Sequence, residues 1–114
     1  MPLLSIETNR PTASEDAAAL LTAASSLVAE KLGKPERYVM VRLNHNPQMR
    51  FAGSDAPLAY LELKSIGLPE ARTAELSAAL CGLLETALGV PADRVYIEFA
   101  DAPRKMWGWD GGTF

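Results

Sequence analysis

A single cysteine, Cys81, and a single histidine, His45, are the only thiol and the only imidazole in this 114-residue chain. One cysteine excludes an internal disulfide and every multi-cysteine zinc pattern. A Cys81–His45 nucleophile pair is compatible with the count, but Cys81 lies in Ala-Leu-Cys-Gly-Leu-Leu, an apolar setting that reads as a core thiol. Positive charge is also scarce: 11 Lys and Arg against 14 Asp and Glu give a formal charge of −3. The basic residues are scattered and form no stripe able to neutralise a run of phosphates, so nucleic acid is excluded as a partner. No window approaches the roughly 20 apolar residues that span a bilayer. The opening Met-Pro-Leu-Leu-Ser-Ile-Glu has neither a basic n-region nor an apolar h-region, so the expected location is cytoplasmic, with leaderless release left open. No glycine-rich phosphate loop follows a strand, and no metal, nucleotide or flavin signature is present, so any chemistry is expected to be cofactor-free.

What is present is an ordinary globular balance of 48% apolar and 22% charged residues. The length fits one domain, residues 1–114. A globule of this size buries roughly two thirds of the surface its unfolded chain exposes, so an apolar sheet face left uncovered calls for a second copy.

The chain repeats itself. Leu32-Gly33-Lys34-Pro35 with Val39 returns as Leu88-Gly89-Val90-Pro91 with Val95, and in the same register Ala18, Leu20, Ala23 and Leu27 fall on Ala74, Leu76, Ala79 and Leu83. The matches sit on demanding positions: a helical apolar stripe, a glycine stop and a proline beyond it. The first helix is predicted from near Thr12, where Thr12 and Glu15 have capping-box spacing, to Leu32, with Leu20, Ala23, Leu27 and Val28 inward. The second is predicted from Pro69 or Glu70 to Leu88, with Leu76, Ala79, Leu80, Leu83 and Leu84 inward. Pro2–Thr8, Tyr38–Leu43, Leu58–Ile66 and Val95–Phe99 read as strands, rich in β-branched, aromatic and leucine side chains.

Two β-α-β units result, about 2–43 and 58–99, forming one four-stranded mixed sheet in an α/β fold with both helices on one face. Val39, Val41 and Leu43 correspond to Val95, Ile97 and Phe99 on the helix side. Arg42, Tyr60, Glu62, Lys64, Tyr96 and Glu98 fall on the other, a polar mixture suited to facing further copies. Residues 44–56 read as the connector. The tail, 106–114, sets Trp107, Trp109 and Phe114 on a flexible glycine-rich backbone.

Six fragments in order carry a family resemblance: Met1-Pro2 opening a strand, Gly33-Lys34-Pro35, Ser65-Ile66-Gly67, Leu80-Cys81-Gly82-Leu83-Leu84, Asp93-Arg94-Val95-Tyr96-Ile97, and Gly108-Trp109 with Thr113-Phe114. Over nearly its whole length the chain resembles the macrophage migration inhibitory factor family of the tautomerase superfamily. The resemblance implies a homotrimer with a pocket at each subunit boundary and keto–enol tautomerase activity on phenylpyruvate-like α-keto acids. It further implies that Pro2, freed by removal of Met1, is the general acid/base, and that Lys34 holds the substrate carboxylate or the developing oxyanion and depresses the Pro2 pKa. Ile66 would offer its backbone N–H. Tyr96 would reach into the neighbouring subunit's pocket as a catalytic donor to the substrate oxygen, and Tyr38, Trp109 and Phe114 would line the mouth. Physical chemistry supports the base: an α-amino group titrates near ~8, and desolvation beside a cation favours its neutral form.

Each of these residues also has a bland reading. Pro2 could simply open a strand, Lys34 could complement a helix C-terminus, Tyr96 could hydrogen-bond across an interface, and the aromatic tail could only pack. Three departures from the family pattern bear on function. Glu98 stands where animal members carry asparagine, which implies a carboxylate near the pocket that would raise the Pro2 pKa or repel an anionic substrate. Leu58 and Leu61 replace the Cys-x-x-Cys of animal members, so thiol oxidoreductase activity is not implied. Trp107 enlarges a usually aliphatic position, which implies a narrower pocket. The competing functions are a signalling or binding trimer with vestigial turnover, and dehalogenation or decarboxylation on the same scaffold. The latter needs further arginines near Pro2, and Arg10, Arg72 and Arg104 are not at convincing positions.

Overall fold

A computed structural model describes residues 1–114. The main elements are β1 (Leu3–Thr8), α1 (Ser14–Leu32), β2 (Met40–His45), β3 (Ala59–Ile66), α2 (Thr73–Leu88) and β4 (Val95–Ala102). The sheet order is β2-β1-β3-β4. β1 pairs parallel with β2, and β3 parallel with β4, while β1 and β3 meet antiparallel at the centre. This is the mixed sheet of two β-α-β units expected from the repeat.

The repeat holds down to its turns. Gly33 (φ 62°) and Gly89 (φ 66°) end the two helices in the left-handed conformation, where a Cβ is strained. Each stop is followed by an extended proline and a single 3-10 turn, Glu36–Tyr38 after Pro35 and Ala92–Arg94 after Pro91, which aims the chain into the next strand.

The core lies between the sheet and the helices. Leu4 and Ile6 of β1 and Leu61 and Leu63 of β3 meet Leu20, Ala24 and Val28 of α1 and Leu76, Leu80, Leu84 and Leu88 of α2. Val39, Val41, Leu43, Val95, Ile97 and Phe99 pack around its edges, as the strand alternation predicts. Each leucine so buried contributes about 1.5–3 kcal/mol by removal of apolar area from water.

Several local expectations are corrected. The capping box does not form: α1 starts after Ala13, no side chain caps it, and the Thr12 hydroxyl donates instead to the Arg10 carbonyl at 3.4 Å. The centre of the α1 stripe is Ala24, with Ala23 exposed, because the row facing the sheet runs in steps of four through Leu20, Ala24 and Val28. Pro69 opens a 3-10 turn, Glu70–Arg72, and α2 proper begins at Thr73. Cys81 is half-buried on the flank of α2 rather than in the core. β4 runs on to Ala102, and the Asp101 carboxylate accepts the backbone N–H groups of Gly67 and Leu68 at 2.8 and 3.1 Å, fixing the turn after β3.

The tail is also better ordered than its glycines suggest. Gly108–Trp109 (β5) and Gly112–Thr113 (β6) form a two-stranded hairpin. Asp110 and Gly111 both have positive φ at its tip, the geometry that suits a two-residue turn to the twist of its strands.

Only one face of the sheet is covered. On the other, Arg42, Ser5, Glu62 and Glu98 lie in one row across the four strands. Beside it, Met40 is 64% and Tyr96 66% exposed. The Tyr60 hydroxyl is pushed above its usual pKa, first by desolvation and then by the charges of Glu62 and Glu98. The radius of gyration is 14.3 Å, against about 13 Å for a compact domain of this length.

Candidate active site

The start of the chain is held in place by the strand that follows the first repeat's stop signal. Pro2 precedes β1, and its carbonyl accepts the Met40 N–H at 2.9 Å. One residue earlier, the Met1 amine donates to the Tyr38 carbonyl at 2.7 Å. Pro2 is under 2% exposed.

Around it lies a cavity of about 270 Å³ whose walls include Pro2, Leu3, Val39, Met40, Tyr38, Trp107, Trp109 and Phe114. The tail hairpin supplies the outer wall. The N–H of Phe114 donates to the Trp107 carbonyl at 3.2 Å, which folds the last residue back. Its ring stacks on Trp109 at 5.4 Å between centroids, and Tyr38 meets both rings edge-on at 5.6 and 5.8 Å. Three aromatics in this arrangement give a rigid apolar wall suited to a flat ring.

The electrostatics at the chain start favour a neutral amine. The Met1 amine is held below the ordinary α-amino value, first by burial and then by the positive charge of Lys34. Both causes disfavour the ammonium form. Lys34 follows the αL glycine of α1, with its own N–H donating to the Ala29 carbonyl at 3.0 Å, so the helix stop sets where this cation stands.

Of the residues singled out from sequence, Pro2, Tyr38, Trp107, Trp109 and Phe114 therefore meet in one cavity; Lys34 is not on its wall, and its charge is felt by the Met1 amine. Ile66, Tyr96 and Glu98 do not line it. Ile66 is buried at the end of β3, 7% exposed. Tyr96 packs on Phe51 at 4.7 Å, and Glu98 lies on the uncovered sheet face. Arg10, Arg72 and Arg104 are likewise absent from the cavity wall. Arg10 donates to the Leu88 carbonyl and Arg72 to Glu75. Arg37, Met1 and Gly108 complete the wall, and the sequence pattern does not point to Arg37 or Met1 as wall residues. The signal for Arg37 was its place beside Tyr38, in a turn whose existence the sequence pattern does not announce.

Fold and cavity together define a duplicated β-α-β domain that sets its first residues at the base of an aromatic cleft. The chain belongs to the macrophage migration inhibitory factor family, which it matches over residues 1–114. It is 41% identical to a macrophage migration inhibitory factor homolog of Brugia malayi over 115 residues, covering 100% of this chain and 99% of that protein. Against the macrophage migration inhibitory factor of Mus musculus the figure is 36%, with the same coverage. The crystal structure of the homologue from Prochlorococcus marinus superposes with a TM-score of 0.93 at 49% identity, covering 98% of each chain. No helix is long and apolar enough to cross a membrane.

Proposed function

We propose that this protein is a cofactor-independent keto–enol tautomerase acting on phenylpyruvate-like α-keto acids, with Pro2 as general acid/base after removal of Met1. The observation that carries this reading is the burial of Pro2 at the base of an aromatic cleft where the adjacent amine is held below its ordinary pKa, first by desolvation and then by the charge of Lys34. Loss of Met1 would convert the Pro2 nitrogen from a non-basic amide to a secondary amine, and would open the part of the cavity that Met1 occupies.

In the forward step the neutral amine takes a proton from the carbon next to the ketone. The electron pair of that C–H bond forms the enol double bond, and the ketone oxygen takes up the charge and then a proton from water. The Pro2 ammonium gives the abstracted proton to the hydroxide so formed, which regenerates the amine; in the reverse direction the ammonium delivers a proton to carbon as the enol O–H proton is lost to water. Lys34 holds the carboxylate, and Tyr38, Trp109 and Phe114 pack on the aryl ring, with Trp107 narrowing the cleft. Ile66 would supply a backbone N–H, and Tyr96 and Glu98 of a neighbouring copy would complete the pocket. A homotrimer meets that requirement, and the uncovered sheet face with its exposed Met40 and Tyr96 favours it.

The test is interconversion of phenylpyruvate, wild type beside Pro2→Ala, on material whose intact mass lacks one methionine. A general acid/base contributes about 10²–10⁴-fold, so the variant is expected to lose at least ~100-fold. Undiminished turnover removes Pro2 as the base. The relatives' name supports a second reading, a binding or signalling trimer with vestigial turnover. Partner binding that survives in Pro2→Ala while physiological turnover is undetectable would favour that reading.

A further inference from the structure

The two outer strands of the sheet carry the same pattern with opposite charge. β2 presents Met40 and Arg42 to the uncovered face, and β4 presents Tyr96 and Glu98 at the positions that the repeat makes equivalent. All four are exposed. The other charges of this face have partners within the chain. Glu7 accepts the Asn44 and Asn46 side-chain amides at 3.2 and 3.3 Å, and Glu62 pairs with Lys64 at 3.9 Å. Arg42 and Glu98 enter no salt bridge. They stand at opposite ends of one row, with Ser5 and Glu62 between them. Three strand spacings, roughly 14 Å, separate the two edges.

An unpaired cation on one edge and an unpaired anion on the other decide how copies can meet. A twofold contact sets an edge against itself, Arg42 on Arg42 or Glu98 on Glu98, and like charges oppose it. A head-to-tail contact sets the β2 edge of one copy against the β4 edge of the next. The cation then meets the anion, and the exposed Met40 and Tyr96 beside them are covered. Repeated around a closed ring, this contact leaves neither charge alone.

We infer that Arg42 forms an ion pair with Glu98 of the neighbouring copy, and that this pair fixes the head-to-tail orientation of the ring. It also determines what Glu98 brings to the site. Met40, two residues from Arg42 on the same face of β2, is on the cavity wall. The boundary that joins Arg42 to Glu98 therefore runs beside the cleft that holds Pro2. Glu98 arrives there with its charge compensated, which removes the repulsion that a lone carboxylate would exert on an anionic substrate. The inference rests on the homotrimer reading for the presence of a second copy, and it adds the charges that select how that copy is turned.

The test compares Arg42→Glu, Glu98→Arg and the double exchange Arg42→Glu/Glu98→Arg with wild type, all as Met1-processed full chains, by sedimentation over a dilution series. Each single reversal places like charges at every boundary and should raise the concentration of half-assembly at least about ten-fold. The double exchange should return to within about three-fold of wild type. If a reversal fails to fold by circular dichroism, Arg42→Gln and Glu98→Gln carry the same test: each should weaken assembly, and the two together should cost less than the sum of the single changes. A monomeric or dimeric wild type, single changes that assemble as wild type does, or a double change that recovers nothing would each overturn the pair. Phenylpyruvate turnover, run in parallel, separates the two readings. Turnover that depends on Pro2 while the double change recovers no assembly removes the ion pair alone, whereas recovered assembly in a protein without turnover removes the enzymatic reading alone.

Discussion

Replacing Arg94 by methionine should lower the melting temperature substantially, because this one guanidinium holds the connector between the two repeats. Its Nε donates to the Pro57 carbonyl, one terminal nitrogen to Phe51, and the other to Ser54 and Ala56, all between 3.0 and 3.1 Å. It also lies 5.2 Å from the centroid of the Phe51 ring, which in turn packs on Tyr96. A fully buried charge-assisted bond contributes about 1.5–3 kcal/mol. Here the four bonds share one partly exposed cation, and carbonyls freed from it regain water, so about 2–3 kcal/mol is expected for the set. At roughly 4–5 °C per kcal/mol for a domain slightly above 100 residues, this corresponds to a fall of about 8–15 °C. Calorimetric melting at matched protein concentration reads it, since any oligomer makes the transition concentration-dependent. Arg94→Lys, a cation without the fork, should fall between the two. A methionine variant melting within ~2 °C of wild type would refute the claim that Arg94 staples residues 51–57.

Further outcomes follow from the core and from the amine. Leu84→Ala, at a position with no exposed surface, should cost about 2–5 kcal/mol in urea unfolding, with the slope unchanged. Lys34→Met should move the acid limb of the kcat/KM profile to higher pH. In the proposed mechanism the active form is the neutral amine, so activity rises as pH rises through its pKa, and removing a neighbouring cation lets the amine hold its proton to higher pH. The limb should stay below that of an unhindered α-amine, since burial, the larger cause of the depression, remains. A limb that does not move would show that Lys34 acts only on the substrate.

One side of the sheet is sealed by α1 and α2, whereas the other keeps Met40 and Tyr96 exposed beside the Arg42–Glu62–Glu98 row. Tyr96 and Glu98 lie on that face, outside the cavity that holds Pro2. A single chain thus carries Pro2 and the aromatic wall, and the outward strand face is what it can offer to a second copy.

The sequence by itself determined the duplicated β-α-β plan, since the paired glycine stops at Gly33 and Gly89 with Pro35 and Pro91 beyond them are local backbone requirements that residue type alone satisfies. Strand facing was equally legible, because alternation across Val39, Val41 and Leu43 and across Val95, Ile97 and Phe99 has only one burial solution. Helix details were less so. Whether Ala23 or Ala24 turns inward depends on how α1 is rolled on the sheet, and an unused capping box at Thr12 depends on where the loop from β1 delivers the chain. Tertiary structure alone decided that the tail closes as a hairpin against Tyr38 and that Arg37 stands at the rim of the same cleft as Pro2. Those contacts join residues far apart in the chain, and only the packed sheet brings them within reach of one another.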